Sequence, residues 1–250
     1  MRTFLSLALL SVIGTSQALP VPAPIEDPEL TPGFFEGDIV LRSSQRNGLS
    51  NSSQYWPNGI VYYKFSDDFE DDRKIFIKGA MKTVEDVSCV RFVEAGDDQS
   101  YFVNITGNGE GCYSTVGFEE GISSSNIEDS EFNTGCYRPG KIIHELLHLL
   151  GFYHMQSTHN RDNYVRIVTE NIIPEFEHNF NIYAENLVED FGLEYDYGSI
   201  MHYSPLAFSA NGKHTIEPLQ EVPEGLMGQR DALSKTDIMK LNRMYNCGMD

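Results

Sequence analysis

Hydrophobic residues change their spacing several times along the first half of the chain, and each spacing predicts a different element. Residues 59–65, GIVYYKF, form a β-rich run after an Asn-Gly pair, which predicts a strand. Residues 70–88 repeat apolar side chains every three or four positions, which predicts an amphipathic helix. Two more β-rich runs occupy 89–94 and 101–106. Residues 107–135 are rich in Gly, Ser, Asn and acidic residues and are predicted to be mostly loop.

The second half contains two clear helical signals. The stretch KIIHELLHLL follows Pro139 and ends at Gly151, and its leucines and isoleucines surround the helix on nearly all sides, so the helix should be buried. Residues 155–233 are predicted to be mostly irregular. A last helix is predicted over Lys235–Tyr245, with Ser234 as N-cap and an acidic residue three positions further on. The two halves would meet near Gly151.

The first 18 residues have the pattern of a targeting segment. Arg2 is followed by a short apolar run, Phe4 to Ile13, and Ser16-Gln17-Ala18 is a small-x-small cleavage site. The alternative is an N-terminal membrane anchor, but the run is shorter than the about 20 apolar residues that span a bilayer. The pattern therefore predicts a signal peptide at 1–18 and a secreted protein.

The next residues have the composition of a removable pro-segment. Residues 19–33 include five prolines and no periodicity, which predicts an extended linker with no core of its own. The segment 34–46 ends at Arg46, and the polar stretch 47–54, NGLSNSSQ, follows. Two flexible segments on either side of an arginine predict processing at Arg46 by a trypsin-like protease.

Composition narrows the possible partners. The chain has 250 residues, of which 40% are hydrophobic and 12% aromatic, so it should form one large globular domain or two small ones. Its formal net charge of -19 repels phosphate backbones and anionic lipid surfaces. We therefore expect neither nucleic acid nor a membrane as a partner.

The cysteines and sequons fit the secretory route. Four cysteines in an oxidising compartment predict two disulfides, with three possible pairings, and none lies in a CxxC pair that would suggest a cysteine zinc site; they are Cys89, Cys112, Cys136 and Cys247. Asn51 and Asn104 begin Asn-x-Ser/Thr sequons and are candidates for glycosylation.

Residues 144–154, HELLHLLGFYH, have the spacing of a catalytic metal site. His144 and His148 lie four residues apart, so both imidazoles face one ion. Glu145 is turned by about 100° from His144 and can take a proton from a water whose pKa zinc lowers. Gly151 permits a sharp turn that brings His154 to the same ion. Three protein ligands with an open position predict one catalytic zinc ion per chain.

The alternative is a buried helix that contains histidines by chance. Gly and His at the further offsets make that coincidence rare, and three buried histidines without partners would be costly. The remaining histidines lack comparable spacing, and we expect them to be surface or packing residues: His159, His178, His202 and His214.

The complete motif resembles a known family. HExxHxxGxxH is the metzincin signature, and HELLHLLGFYH followed by NRDNYV is similar to the astacin family of zinc endopeptidases. The similarity continues in YWPNGIVYYKF, in CVRFV, in SIMHY at 199–203 and in GQRDALSKTDIMKLNRMYNC at 228–247, and covers nearly all of residues 47–250. It implies an α+β, zincin-like fold: an N-terminal subdomain of twisted β-sheet plus two helices, and an irregular C-terminal subdomain with a terminal helix. The active-site cleft would lie between them.

The resemblance also implies roles for individual residues. The three motif histidines would be the zinc ligands, and Glu145 would be the general base and proton shuttle. Met201 would form an apolar floor beneath the metal. Tyr203 would be an additional zinc ligand that swings away to stabilise the developing oxyanion, as a phenol donor can.

For the pro-segment, the resemblance implies a mechanism of latency. FEGD at 35–38 resembles the family's pro-segment motif, in which an aspartate, here Asp38, occupies the open zinc position and blocks water. The domains would then be a signal peptide at 1–18, a pro-segment at 19–46 and a catalytic domain at 47–250. The disulfides would be Cys89–Cys247 and Cys112–Cys136.

Two positions concern activation and specificity. The family usually has Glu directly after the third histidine, where it contacts the buried mature N-terminus; here the residue is Met155, which cannot pair with an ammonium group. Arg230 matches a basic residue that faces the specificity pocket in some members, so it could pair with an acidic substrate residue. The alternative for Arg230 is a structural ion pair.

The leading functional hypothesis is a secreted, monomeric zinc endopeptidase made as a zymogen and acting on protein or peptide substrates. An inactive zinc-binding relative is a second hypothesis, but the presence of Glu145 and Tyr203 opposes it. A zinc amidase or exopeptidase is a third, opposed by the third histidine and by SIMHY at 199–203, which matches the Met-turn of the family. Family members serve digestion, hatching, matrix remodelling and reproduction, and the sequence does not distinguish among these roles.

Overall fold

The computed structural model describes residues 27–41, 54–67, 69–185 and 188–248. Several predictions fall outside those residues: the signal peptide at 1–18, the processing site at Arg46 and the sequon at Asn51. Within the described part of the chain, no helix has both the length and the apolar character needed to cross a membrane.

A six-stranded mixed sheet forms the first half. Its strands are β1 (Ile39–Val40), β2 (Ile60–Phe65), β3 (Arg91–Glu94), β4 (Phe102–Thr106), β5 (Cys112–Thr115) and β6 (Ile122–Ile127). The strand order is β1-β5-β6-β4-β2-β3, and only the β5–β6 pair is antiparallel among the described strands. Strand β1 lies within the predicted pro-segment and forms one edge of the sheet.

The described residues also form three α-helices, near the positions that periodicity predicted. They are α1 (Asp71–Asp86), α2 (Pro139–Leu149) and α3 (Lys235–Met244). Helix α3 begins with a capping box, in which Ser234 and Asp237 each accept a main-chain hydrogen bond from the other residue. Residues 155–233 are largely irregular, with 3-10 turns and one antiparallel pair, β7 (Val165–Ile167) and β8 (Ile216–Pro218).

The prediction that residues 107–135 are mostly loop was wrong for β5 and β6. Strand β6 reads ISSSNI, and its buried Ser125 and Asn126 do not look like core residues. Their polar groups are satisfied inside the sheet: the hydroxyls of Ser114 and Ser125 lie 2.9 Å apart, and the Asn126 amide donates to the Gly111 carbonyl at 2.6 Å. Because these partners are internal, the polar strand is stable in a buried position.

The prediction of an extended linker at 19–33 was wrong for residues 27–33, which form turns packed against the rest of the chain. The Glu29 side chain is buried, and Leu30 packs on the core of the C-terminal half. The main chain is fixed as well, since the Cys112 amide donates to the Pro28 carbonyl at 2.8 Å.

Two apolar clusters and two disulfides stabilise the described part of the chain. The larger cluster joins the sheet to α1, α2 and α3, and the smaller one lies among the irregular segments of the C-terminal half. The disulfides are Cys89–Cys247 and Cys112–Cys136, the pairs that the resemblance implied. The first ties the end of the chain back to β3. The α+β prediction, with a sheet subdomain and an irregular subdomain, is confirmed.

Candidate metal centre

Helix α2 brings the first part of the candidate site together. His144, Glu145 and His148 lie on it and are fully buried. Gly151 follows with a φ of 106°, a left-handed conformation that favours glycine, and its amide donates to the His148 carbonyl at 2.8 Å. This turn reverses the chain so that His154, also fully buried, meets the two helical histidines.

The outer nitrogens of these histidines are held by hydrogen-bond acceptors. Nδ1 of His144 lies 2.8 Å from the Ile200 carbonyl, and Nδ1 of His148 lies 2.8 Å from the Phe152 carbonyl. Nδ1 of His154 faces a buried carboxylate at 2.7 Å. Because a carbonyl oxygen only accepts, Nδ1 must carry the proton in the first two rings, and Nε2 is left with a free lone pair.

The Nε2 atoms of the three rings converge on one point. Nε2 of His144 lies 3.1 Å from Nε2 of His148 and 3.3 Å from Nε2 of His154. Lone pairs at that separation repel unless a cation lies between them. Nitrogen ligands about 2.1 Å from a tetrahedral zinc ion are about 3.4 Å apart, so the donor set fits one zinc ion.

A carboxylate of the predicted pro-segment completes this group. Asp38 Oδ2 lies 3.2 Å from Nε2 of both His144 and His154, and Oδ1 lies 3.5 Å from Nε2 of His148. Burial alone would raise the pKa of Asp38, but His154 and His148 outweigh burial and hold it well below its ordinary value. The four side chains form a buried set whose ligand atoms all lie within 4.8 Å of one another.

Sequence reasoning missed Glu36, which makes as many contacts as Asp38. Its carboxylate is the one that faces Nδ1 of His154, and it also accepts from the Ser157 hydroxyl at 2.8 Å. Its amide donates to the Asn179 side chain at 3.0 Å, and its carbonyl accepts from the Tyr203 phenol. The sequence does show a second acidic residue in FEGD. It does not show which residues Glu36 contacts, because they are distant in sequence.

Glu145 is buried beside the three histidines, in an environment that favours its protonated form. Its two carboxylate oxygens are buried without a hydrogen-bond partner among the described residues. Burial and, after it, the nearby Asp38 carboxylate raise the pKa of Glu145 well above its ordinary value. A buried carboxyl without partners is costly in a purely structural role.

The Met-turn lies directly against the third histidine. Met201 is buried, and its carbonyl accepts from the amide of Met155 at 3.0 Å. The Tyr203 ring packs on His154 with a centroid separation of 4.6 Å. Burial also raises the pKa of Tyr203 well above its ordinary value, so the phenol keeps its proton.

Met155 lines a cavity of about 660 Å³ together with Lys240, Tyr55 and Phe152. The Lys240 amine is directed at the Met155 sulfur, 3.2 Å away. Burial lowers the pKa of Lys240. Among the described residues, the Met155 sulfur is the hydrogen-bond acceptor given for the Lys240 amine, and a thioether sulfur is a weak acceptor.

The remaining predicted residues take varied positions. Arg230 is buried and paired with Glu29 of the predicted pro-segment, with Nε 3.1 and 3.0 Å from its two carboxylate oxygens. Asn104 is half-buried on strand β4. His202 is a packing residue whose Nε2 lies 2.7 Å from the Tyr195 phenol. The other unassigned histidines are half-buried or exposed: His159, His178 and His214.

The fold and the site define a zinc-dependent metalloprotease: three convergent histidines and an unpaired glutamate, with two of those histidines and the glutamate on a helix packed against a mixed sheet. The family model of the astacin peptidases matches residues 48–246. The chain belongs to the astacin family.

Individual relatives agree with this assignment. Seminal metalloprotease 1 of Drosophila melanogaster is 44% identical, covering 89% of this chain and 90% of that protein. The low choriolytic enzyme of Oryzias latipes is 38% identical, covering 86% of this chain and 78% of its own length. Among solved structures, high choriolytic enzyme 1, a hatching enzyme zinc-protease from the same fish, matches with a TM-score of 0.72 and 37% identity. That match covers 80% of this chain and all of the solved chain.

Proposed function

We propose that this protein is a secreted endopeptidase made as a zymogen, in which Asp38 blocks the metal and Glu145 is the general base. The observation that carries the proposal is the position of Asp38: a pro-segment carboxylate lies against all three candidate ligands, within 3.5 Å. Cleavage at Arg46 by a trypsin-like protease would allow residues 19–46 to leave. The mature enzyme would act as a monomer.

Residues of the chain divide the catalytic work. Zinc, when bound, polarises a carbonyl and lowers the pKa of water. Glu145 accepts the proton of the attacking water and delivers it to the leaving amine. Its raised pKa suits both steps, since a general base works best near the operating pH. Removal of Asp38 withdraws a like charge from Glu145 and gives water access to it.

Tyr203 would act after activation. In the zymogen its phenol donates to the Glu36 carbonyl, so the pro-segment occupies the donor. Once Glu36 leaves, the protonated phenol can donate to the oxygen that becomes negative when a peptide carbonyl is attacked. Tyr203 and Glu145 thus gain their substrate-facing roles in the same event.

Arg230 would bind an acidic side chain of the substrate. Its guanidinium is paired with Glu29 in the zymogen, so the ion pair exists but is made with a segment that departs. Once Glu29 has left, a substrate Asp or Glu would restore the pairing. Replacing Arg230 with Ala should relax a preference for acidic residues, and an unchanged cleavage profile would contradict this assignment.

The biological role would lie in an extracellular fluid. The identity to a seminal metalloprotease extends over most of both chains, which favours processing of seminal-fluid proteins. A hatching role is supported by the choriolytic enzymes, and a digestive role is the third possibility. Tissue of expression decides among the three.

The test is protease activity on casein before and after cleavage at Arg46. We expect activity only after cleavage, complete loss with a zinc chelator, and loss of at least about 100-fold in Glu145→Gln. Glu120→Gln, an exposed control on the surface, should keep wild-type activity. A correctly cleaved chain with one zinc ion and no activity would support the alternative, an inactive zinc-binding relative.

A further inference from the structure

The buried cation Lys141 lies near Arg230 and takes no part in the proposed chemistry. Lys141, in the first turn of α2, is buried, and its amine lies 2.6 Å from Asp27 Oδ1. Arg230 pairs with Glu29, two residues further along the pro-segment. Two acids in an acid-x-acid arrangement therefore cover two neighbouring cations.

The scaffold packs the two chain segments that carry the cations against each other. The main chain at Gly140 packs so closely on Arg230 that an added Cβ would lie 1.8 Å from the Arg230 carbonyl oxygen. This contact holds the start of α2 against the segment that carries the guanidinium. Arg230 also donates through NH1 to the His202 carbonyl at 3.1 Å, a bond that does not involve the pro-segment. Its orientation is therefore set before any substrate binds.

The acids are fixed just as firmly. The Leu30 amide donates to the Asp27 carbonyl at 2.9 Å, and the Glu29 amide donates to Asp27 Oδ1 at 3.2 Å. This turn directs one carboxylate at Lys141 and the other at Arg230. Among the described residues, these are the carboxylates that form ion pairs with the two cations.

We infer that Lys141 and Arg230 form one subsite for peptides that have two acidic residues separated by one position. Asp27 and Glu29 are its occupants in the zymogen, and Lys141 is a second specificity-determining residue. The inference rests on the proposed function, because it takes the pro-segment to leave the cleft. Departure leaves both cations without their ion-pair partners, and a substrate carboxylate at each restores the pairing.

A binding experiment tests the subsite without requiring turnover. Labelled synthetic peptides covering residues 27–40, wild-type and Asp27→Asn, are titrated against the mature protein by fluorescence polarisation. We expect Asp27→Asn to weaken binding about tenfold to the wild-type protein and hardly at all to Lys141→Gln. Equal weakening with both proteins would overturn the pairing. The peptide change alone tests Lys141 in a protein with no substitution.

Kinetics then separate the two cations. Three matched peptide substrates are compared. The first has an acidic residue at both positions of the acid-x-acid pair, the second only at the position that faces Arg230, and the third at neither. Lys141→Gln should raise KM about tenfold for the doubly acidic peptide only, and Lys141→Arg should restore it. Arg230→Gln should affect both acidic peptides, and the exposed Lys213→Gln should affect none.

The outcomes distinguish this inference from the proposed function. If no peptide and no casein is cleaved while the 27–40 peptide still binds in the expected pattern, the proposed protease function fails and the subsite stands. If cleavage is normal and Lys141→Gln has the wild-type KM for all three substrates, the inferred subsite is wrong and the protease function stands.

Discussion

The two halves of the molecule that meet at the metal centre are stabilised in different ways. The sheet half buries isoleucine, valine and leucine side chains between regular elements, and its ladders satisfy the main chain. The C-terminal half has few ladders and is held by side-chain bonds to the main chain. Tyr197 donates to the Tyr164 carbonyl at 2.7 Å, and Thr215 donates to the Ala207 carbonyl at 2.7 Å.

The difference matters because the site takes residues from both halves. His144 and His148 are positioned by helix geometry, which tolerates many substitutions elsewhere. His154, Met201 and Tyr203 lie in irregular segments and are positioned by individual hydrogen bonds to the main chain or to single side chains. Removal of a buried apolar side chain should therefore lower stability most in the first half. Removal of a single polar group should lower stability most in the second half.

The largest expected effect is an apolar truncation in the sheet half. Leu147 is fully buried on α2, and Leu147→Ala should lower the free energy of unfolding by about 3 kcal/mol through lost burial and a cavity. Chemical denaturation measures this. Ile75→Ala, at a side chain that is 70% exposed on α1, is the control and should change stability by less than about 0.5 kcal/mol. Similar losses in both variants would contradict the contrast.

The second prediction concerns a polar group in the C-terminal half. Asp237 accepts from the Ser199 hydroxyl at 2.6 Å and from the amides of Ile200 and Ser234 at 2.9 and 3.0 Å. Asp237→Asn keeps the shape of the side chain but directs an amide donor toward these donors. The substitution should therefore lower the free energy of unfolding by about 2 kcal/mol, as measured by chemical denaturation.

The pH dependence of the Asp237→Asn variant supplies a check. Burial raises the pKa of Asp237 in the folded state, so the folded state binds this proton more readily than the unfolded state does. The contribution of this group to stability is thus present at low pH and lost as pH rises through the raised pKa. The deficit of Asp237→Asn should widen as pH falls below that pKa. A deficit that is independent of pH would show that the charge of Asp237 has no part in it.

The smallest expected effect is a gain. Met155→Glu would place a carboxylate beside the Lys240 amine, which now faces a sulfur at 3.2 Å. Stability should rise by about 1 kcal/mol relative to the neutral Met155→Gln control, because the buried amine gains a counter-charge. Thermal or chemical denaturation measures the difference between the two variants. If the Glu variant is less stable than the Gln variant, the free-energy cost of burying the carboxylate exceeds the gain from pairing it with the amine.

Local signals in the sequence were sufficient for the helices but not for the contacts between distant segments. Helix α2 was predictable because its apolar positions, Pro139 and Gly151 all lie within one short stretch. Strand β6 was missed because its buried Ser125 and Asn126 are stabilised by partners on other segments. The roles of the acids of the pro-segment beyond Asp38 were missed for the same reason: Asp27 and Lys141 are 114 residues apart, and Glu29 and Arg230 are 201 apart.

The short strand β1 has a consequence for the proposed activation. It pairs in parallel with β5 through Ile39–Ser114 and Val40–Thr115, and the Ser114 amide donates to the Asp38 carbonyl at 2.8 Å. If residues 19–46 leave as proposed, β5 becomes the border of the sheet, and the Ser114 amide loses its main-chain acceptor. Such a border can add another extended chain. Activation would therefore create a docking template for a peptide backbone, independent of side-chain sequence, next to the place where Asp38 had been.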